Sequence, residues 1–198
     1  MRSVCFLFIL PALASASLAL ADELDDRATA VFSASFADSC FSAFLDDGSL
    51  ITPPERVSLS SPMTYENAPV PMVLWLFRCN IGSYNVQSVV IGHSETEGVG
   101  VMSFARPDLE IVLEDPENFE SAVRDVRIIG WSASSVVVNA EIDGTRGELR
   151  ETGYWRGVGD ASSSAVWRLV DQAFRLVRYD VDPTYDGAVN PTTLFDFD

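Results

Sequence analysis

Chemistry needs groups that move protons, attack a bond or hold an ion, and this sequence offers few of them in productive spacing. Its single histidine, His93, follows the apolar run Val89-Val90-Ile91-Gly92 and stands beside Ser94 and Glu95. A Ser–His–Asp triad would have to use it as the base, yet no G-x-S-x-G elbow or comparable nucleophile context accompanies it. One histidine and few cysteines also put the usual zinc ligand sets out of reach. Paired carboxylates hydrolyse glycosidic bonds when held at a set separation. Glu95/Glu97, Glu114/Asp115 and Asp160 are acids to consider, but 29 Asp and Glu residues produce such pairs by chance.

The stretch from Asp180 to Asn190 is denser in oxygen donors. Asp180, Asp182, Asp186 and Asn190 around a glycine turn could contribute to the six to eight oxygens that calcium takes. Their spacing is not that of an EF-hand and no Glu closes it; Asp and Gly also make plain turns. Arg156-Gly157-Val158-Gly159-Asp160 is rich in glycine but lacks Lys-Ser/Thr and a βαβ setting. It reads as a flexible strand connection and not a phosphate cradle. Trp155, Arg156 and Asp160 make it a candidate ligand surface. Of Trp75, Trp131, Trp155 and Trp167, Trp155 is the one expected to be most exposed, since tryptophan at strand periodicity fills cores.

The elements that must carry these residues are mostly strands. Residues 22–45 predict an amphipathic helix: Leu24, Ala28, Phe32, Phe36, Cys40 and Phe44 recur every fourth position, acids load the first turns, and Gly48 follows. Residues 48–71 read as a proline-rich loop. Residues 73–79 and 84–92 predict a hairpin, and 99–105 with 109–113 a second one turned at Arg106-Pro107-Asp108. Asp115-Pro116 opens a short helix to Arg124, with Asp115 as N-cap. Strands follow at 126–131, 135–142, 148–155, 165–170 and 173–181, with turns at Asp143-Gly144 and Asp171-Gln172. The expected fold class is α+β: mainly antiparallel sheet with an N-terminal amphipathic helix and one short internal helix.

Residues 1–21 have the pattern of a cleavable export signal: Arg2, an apolar run over 4–13, then Ala19-Leu20-Ala21. The run is short of the roughly 20 apolar residues a membrane span needs. Residues 22–198 are then a single domain located in the periplasm or secreted, and the full chain's 47% hydrophobic and 11% aromatic content is that of a protein that builds a core. Cleavage sets aside Cys5 and leaves Cys40 and Cys79, an even pair that in an oxidising compartment reads as a disulfide. The 13 basic residues, all arginine, face 29 acids. Nucleic acid and anionic membranes are therefore poor partners; the acidic surface could instead attract a cationic protein or a metal ion, or be a plain solvated surface.

Two segments carry a resemblance. One is Trp75-Leu76-Phe77-Arg78-Cys79-Asn80-Ile81-Gly82-Ser83-Tyr84-Asn85. The other is Gly153-Tyr154-Trp155-Arg156-Gly157-Val158-Gly159-Asp160, followed by Trp167 and Phe174-Arg175-Leu176. Together they resemble an uncharacterised family of exported bacterial proteins, the domain of unknown function 1176. That family carries a strand ending C-x-x-G-A-Y-N, then a G-R-G-x-G-D-C-G turn leading into an aromatic hairpin. Here Ser83 replaces the Ala, and Ala161-Ser162 replace Cys-Gly. A bridge made by that cysteine in relatives is rewired here, with Cys40 as the partner left for Cys79. The family has no established activity, so the resemblance implies export and a rough fold.

The expectation is a non-catalytic periplasmic binding or interaction protein, with no catalytic residues assigned. Two other readings stay open: an envelope-acting carboxylate hydrolase, and a structural module stabilised by calcium. No other cofactor is implied.

Overall fold

The described residues, 13–118 and 120–197 of this computed structural model, form one helix and twelve strands. They are α1 (Leu13–Phe36), β1 (Glu55–Ser61), β2 (Val70–Ile81), β3 (Val86–Ser94), β4 (Gly98–Val101), β5 (Phe104–Leu113) and β6 (Val123–Ser134). Then come β7 (Val136–Val138), β8 (Glu141–Asp143), β9 (Glu148–Tyr154), β10 (Ser162–Val170), β11 (Ala173–Asp182) and β12 (Thr192–Asp196). Arg2, Cys5 and the apolar signal run as far as Ala12 lie outside the described residues.

All strand pairs are antiparallel. One sheet runs β1-β2-β3-β4, with β7 also on β3; a second runs β12-β11-β10-β9-β8; β5 and β6 form a separate ribbon. The alternation of β2 sets the layering. Met72, Leu74 and Leu76 meet Trp167, Leu169, Phe174, Tyr179 and Val181 of the second sheet. Val73, Trp75, Phe77 and Cys79 point the other way, toward Ala28 and Phe32 of α1. Successive side chains leave opposite faces of a strand, so a run apolar at every position is buried on both. Helix, first sheet and second sheet therefore stack as three layers. Leu109 of β5 and Val126 of β6 pack with Leu176, Leu194 and Phe195 against the same inter-sheet core, which the ribbon extends.

The helix layer is held by rings and by one covalent bond. Phe32 stacks on Phe77 at 4.5 Å and on Phe44 at 5.5 Å. The buried Trp75 donates its indole N–H to Asp25 at 2.7 Å, which keeps a polar atom satisfied inside. Cys40 and Cys79 form a disulfide across a sequence separation of 39.

Several expectations are corrected. The helix stops at Phe36, not Leu45. Ser39 and Cys40 both donate backbone N–H groups to Phe36 O, and the chain turns so that Cys40 reaches Cys79. The four-residue period continues through Phe44 because the disulfide and turns, and not a helix, keep these residues in the core. The short internal helix does not form among the described residues. Asp115 accepts the N–H of Glu117 and Asn118 that of Glu120, so local side-chain bonds make a turn between β5 and β6. Arg106-Pro107-Asp108 is no turn either: it lies within β5, where Pro107 pairs with Trp131. Proline is tolerated in a strand that is not central to a sheet. Residues 48–71 contain β1, whose Val57 and Leu59 alternate with more exposed neighbours.

Candidate functional site

A cleft of about 570 Å³ opens at the end of the second sheet, over the paired ends of β9, β10 and β11. Its floor is Thr152 of β9 and Ser162, Ser163 and Ser164 of β10, beside Asp180 of β11. Tyr84 and Tyr154 wall it with Gly157, Val158 and Gly159, and Val189 and Pro191 close the other side. Three segments distant in sequence meet here, each held by dedicated bonds.

The first is the turn between β2 and β3. Asn85 donates its amide to Tyr154 O at 2.7 Å and accepts the Tyr154 N–H at 3.1 Å, so one side chain serves Tyr154 as a neighbouring strand would. Asn139 braces the pair, donating to Asn85 Oδ1 at 2.9 Å and to Thr152 O at 2.9 Å while accepting the Val86 N–H. Its φ of +44° breaks the expected strand 135–142 into β7 and β8. Asn enters that left-handed region more readily than most residues. An isolated Asn between Val136-Val137-Val138 and Ala140 was the available signal.

The second segment is the glycine turn. Trp155 N donates to Ala161 O, and Gly159 N to Arg156 O, which closes it. Gly159, at φ +80°, lies against the Tyr154 ring, a position where other side chains are strained. Asp160 is buried, and its carboxylate takes the Arg156 guanidinium and the Gly187 N–H at 2.8 Å. Arg156 holds that carboxyl well below the usual carboxylate range, outweighing burial. Asp160 is thus a permanent anion that ties this turn to the third segment, and a poor general acid. Arg156 also lies 5.1 Å over the Tyr185 ring.

The third segment is the acidic loop after β11. Asp182 is fully buried and accepts the Thr184 N–H and hydroxyl on Oδ1 and the Asn190 N–H on Oδ2. Exposed Asp186 accepts the Ala188 N–H. Asp180 faces Arg178 at 2.9 Å and the Thr193 hydroxyl; burial pushes its carboxyl up, but these partners hold it below its ordinary value. Asp180, Asp182, Asp186 and Asn190, read as possible calcium ligands, all take part in these local bonds. Among the described residues, no group of three or more His, Cys, Asp and Glu side chains is placed to hold a metal ion.

Trp155 is half-buried against the inter-sheet core, and Trp131 on β6 is the exposed tryptophan, at 56%. This reverses the expected order, because the Trp155 backbone is fixed inward by Ala161. His93 pairs with Val73 and Val99 and takes no part in the lining. Glu95 and Glu114 sit exposed on turns outside it. The arrangement brings together hydroxyls, two phenol rings and one arginine-paired carboxylate. It is suited to hydrogen bonding and ring stacking. The chain matches no family model, no curated protein and no solved structure.

Proposed function

We propose that the chain is an exported, non-catalytic binding protein of the periplasm or exterior, and that its ligand occupies the cleft between Tyr84, Tyr154 and Asp180. The convergence of three remote segments on one cleft carries this reading. Asn85, Asn139 and Asp160 spend their hydrogen-bonding capacity on shaping walls, as a preformed ligand site requires. Stacking phenols and a serine floor favour a hydroxylated ring, as in a glycan. The Cys40–Cys79 bridge supports an oxidising compartment. No helix among the described residues is long and apolar enough to cross a membrane. The two segments resembling the family of unknown function 1176 touch at Asn85 and Tyr154, which supports reading them as one unit.

Titration of ¹⁵N-labelled mature protein with chitobiose, maltotriose and cellotriose tests the site. Amide shifts should cluster at residues 82–85, 152–164 and 187–191 and vanish in the Tyr84→Ala/Tyr154→Ala double variant. Absence of clustered shifts with all three sugars at their solubility limits would overturn the glycan reading. Export is tested separately, by mass spectrometry of the osmotic-shock fraction, where the mature chain should begin at Asp22.

A further inference from the structure

β6 lies outside the cleft and has its own unfinished geometry. It is paired on one side alone, by β5. Residues 128–134 (Ile-Ile-Gly-Trp-Ser-Ala-Ser) contain no charge and no proline, and they expose Ile129 at 66% and Trp131 at 56%. A long apolar strand edge is a template for adding another strand, which proteins normally guard. The other rims offer less: β5, paired by β6 alone, carries Arg106, Pro107 and Asp108, and β12 has five residues. β7 and β8 have three residues each, β4 contacts α1, and Gly144 brings the β8–β9 turn against Val57 of β1.

Charge selects the occupant. The ribbon tip, where β6 begins, carries exposed Glu114, Asp115, Glu117 and Glu120, within a chain of net charge −16. Exposed Arg124 and Arg127, the latter engaged by Asp125 at 2.7 Å and Glu110 at 3.6 Å, are outnumbered by these acids. A strand added antiparallel to β6 starts beside Trp131 and ends beside the acidic tip. We infer that β6 is a docking edge for an extended segment of a partner protein, with apolar residues at alternate positions in its first half and Lys or Arg in its last. Main-chain bonds to the free edge would give affinity, and the apolar-to-basic order would give direction. A second copy of this chain fits less well, since it brings the same negative charge.

Fluorescence anisotropy on the full mature chain tests this with a labelled peptide in which Val and Thr alternate before a run of Arg and Lys. The forward peptide should bind, and the same residues in reverse order at least about tenfold more weakly. Ile129→Lys should cost at least about tenfold, as should Trp131→Ser, with unchanged melting as the check on folding. Glu114→Gln/Asp115→Asn/Glu117→Gln should weaken binding and flatten its salt dependence. Amide exchange should slow along β6, and the Tyr84→Ala/Tyr154→Ala variant should still bind, which separates this edge from the cleft. Equal affinity for both peptide orders, an indifferent Ile129→Lys, or protection at β9 and β10 instead would overturn the inference. So would a concentration-dependent dimer in sedimentation that Ile129→Lys abolishes, because it makes a second copy the occupant.

Discussion

β2 and β6 are both twelve residues long, yet β2 lies at the centre of the molecule and β6 at its rim. β2 reads Val-Pro-Met-Val-Leu-Trp-Leu-Phe-Arg-Cys-Asn-Ile, apolar on both faces; it is paired on both sides and buried front and back. β6 interrupts its apolar positions with Arg124, Asp125 and Arg127 at one end and Ser132 and Ser134 at the other, and it keeps a single neighbour. The lesson is that length does not decide how deeply a strand is buried. The number of apolar faces does, because each one must find a layer to cover it.

Matched tryptophans give the sharpest way to break this comparison. Trp75 is fully buried and bonded to Asp25, whereas Trp131 is more than half exposed beside Phe195. Trp75→Ala should lose about 3–5 kcal/mol of stability in urea unfolding, from lost burial and the cavity left behind. Trp131→Ala should lose less than about 1 kcal/mol, as for a largely exposed site. Equal losses would mean that the ribbon is as much core as β2.

The next effect concerns what ties the end of β2 down. Replacing Cys40 and Cys79 by Ser opens a loop of sequence separation 39 and should cost about 2–4 kcal/mol. Nothing covalent holds β6, so dithiothreitol should leave amide exchange in the β5–β6 ribbon nearly unchanged while speeding it in α1 and β2. Uniform acceleration across both regions would show that the layers unfold as one unit.

Turns adjoining the two strands form a milder contrast. Asn85, after β2, satisfies both backbone groups of Tyr154, so Asn85→Ala should cost about 1–2 kcal/mol by stranding them. The Asn118 side chain, before β6, accepts the Glu120 N–H in an exposed turn, and Asn118→Ala should stay within about 0.5 kcal/mol. Thermal melts of the two variants at equal concentration are sufficient to rank them.

How far the sequence revealed all this follows the same contrast. β2 was legible because its signal is local: the continuous apolar run from Met72 to Phe77 permits little else. Parts of β6 (126–131) and β5 (109–113) were legible too, but not their pairing, because Pro107 suggested a turn, and only a strand free to sit at a margin tolerates it. The end of α1 was misread because Cys40 and Phe44 keep the helical period while a disulfide positions them. In the cleft, the glycine turn and the acidic loop were visible as separate segments. Their meeting was not, since it depends on Asp160 reaching Gly187, 27 positions away, and on Asn85 reaching Tyr154 across 69. Long-range polar bonds leave no periodicity behind.

The last contrast is the pH dependence of two arginine-bound carboxylates, one in the turn beside the cleft and one on β6. Arg156 holds Asp160 well below the ordinary carboxylate range, and Arg127 likewise lowers Asp125. For each, the stabilising charge is fully present above the unfolded-state value of about 4. As pH falls below that, the unfolded chain takes up the proton before the folded chain does, so stability drops toward the folded pKa. Relief of the overall negative charge acts in the opposite direction, so only the difference between each Asp→Asn variant and the parent chain is informative. Asp160→Asn should narrow with the parent as pH falls from about 5 toward 2, and raised salt should hardly alter this, since the Asp160 side chain is buried. Asp125→Asn should show the same trend at low salt and lose it at high salt, because its pair is solvent-exposed and screened. A salt-insensitive Asp125 would mean that the β6 margin is covered in solution, the condition that a docked strand would create.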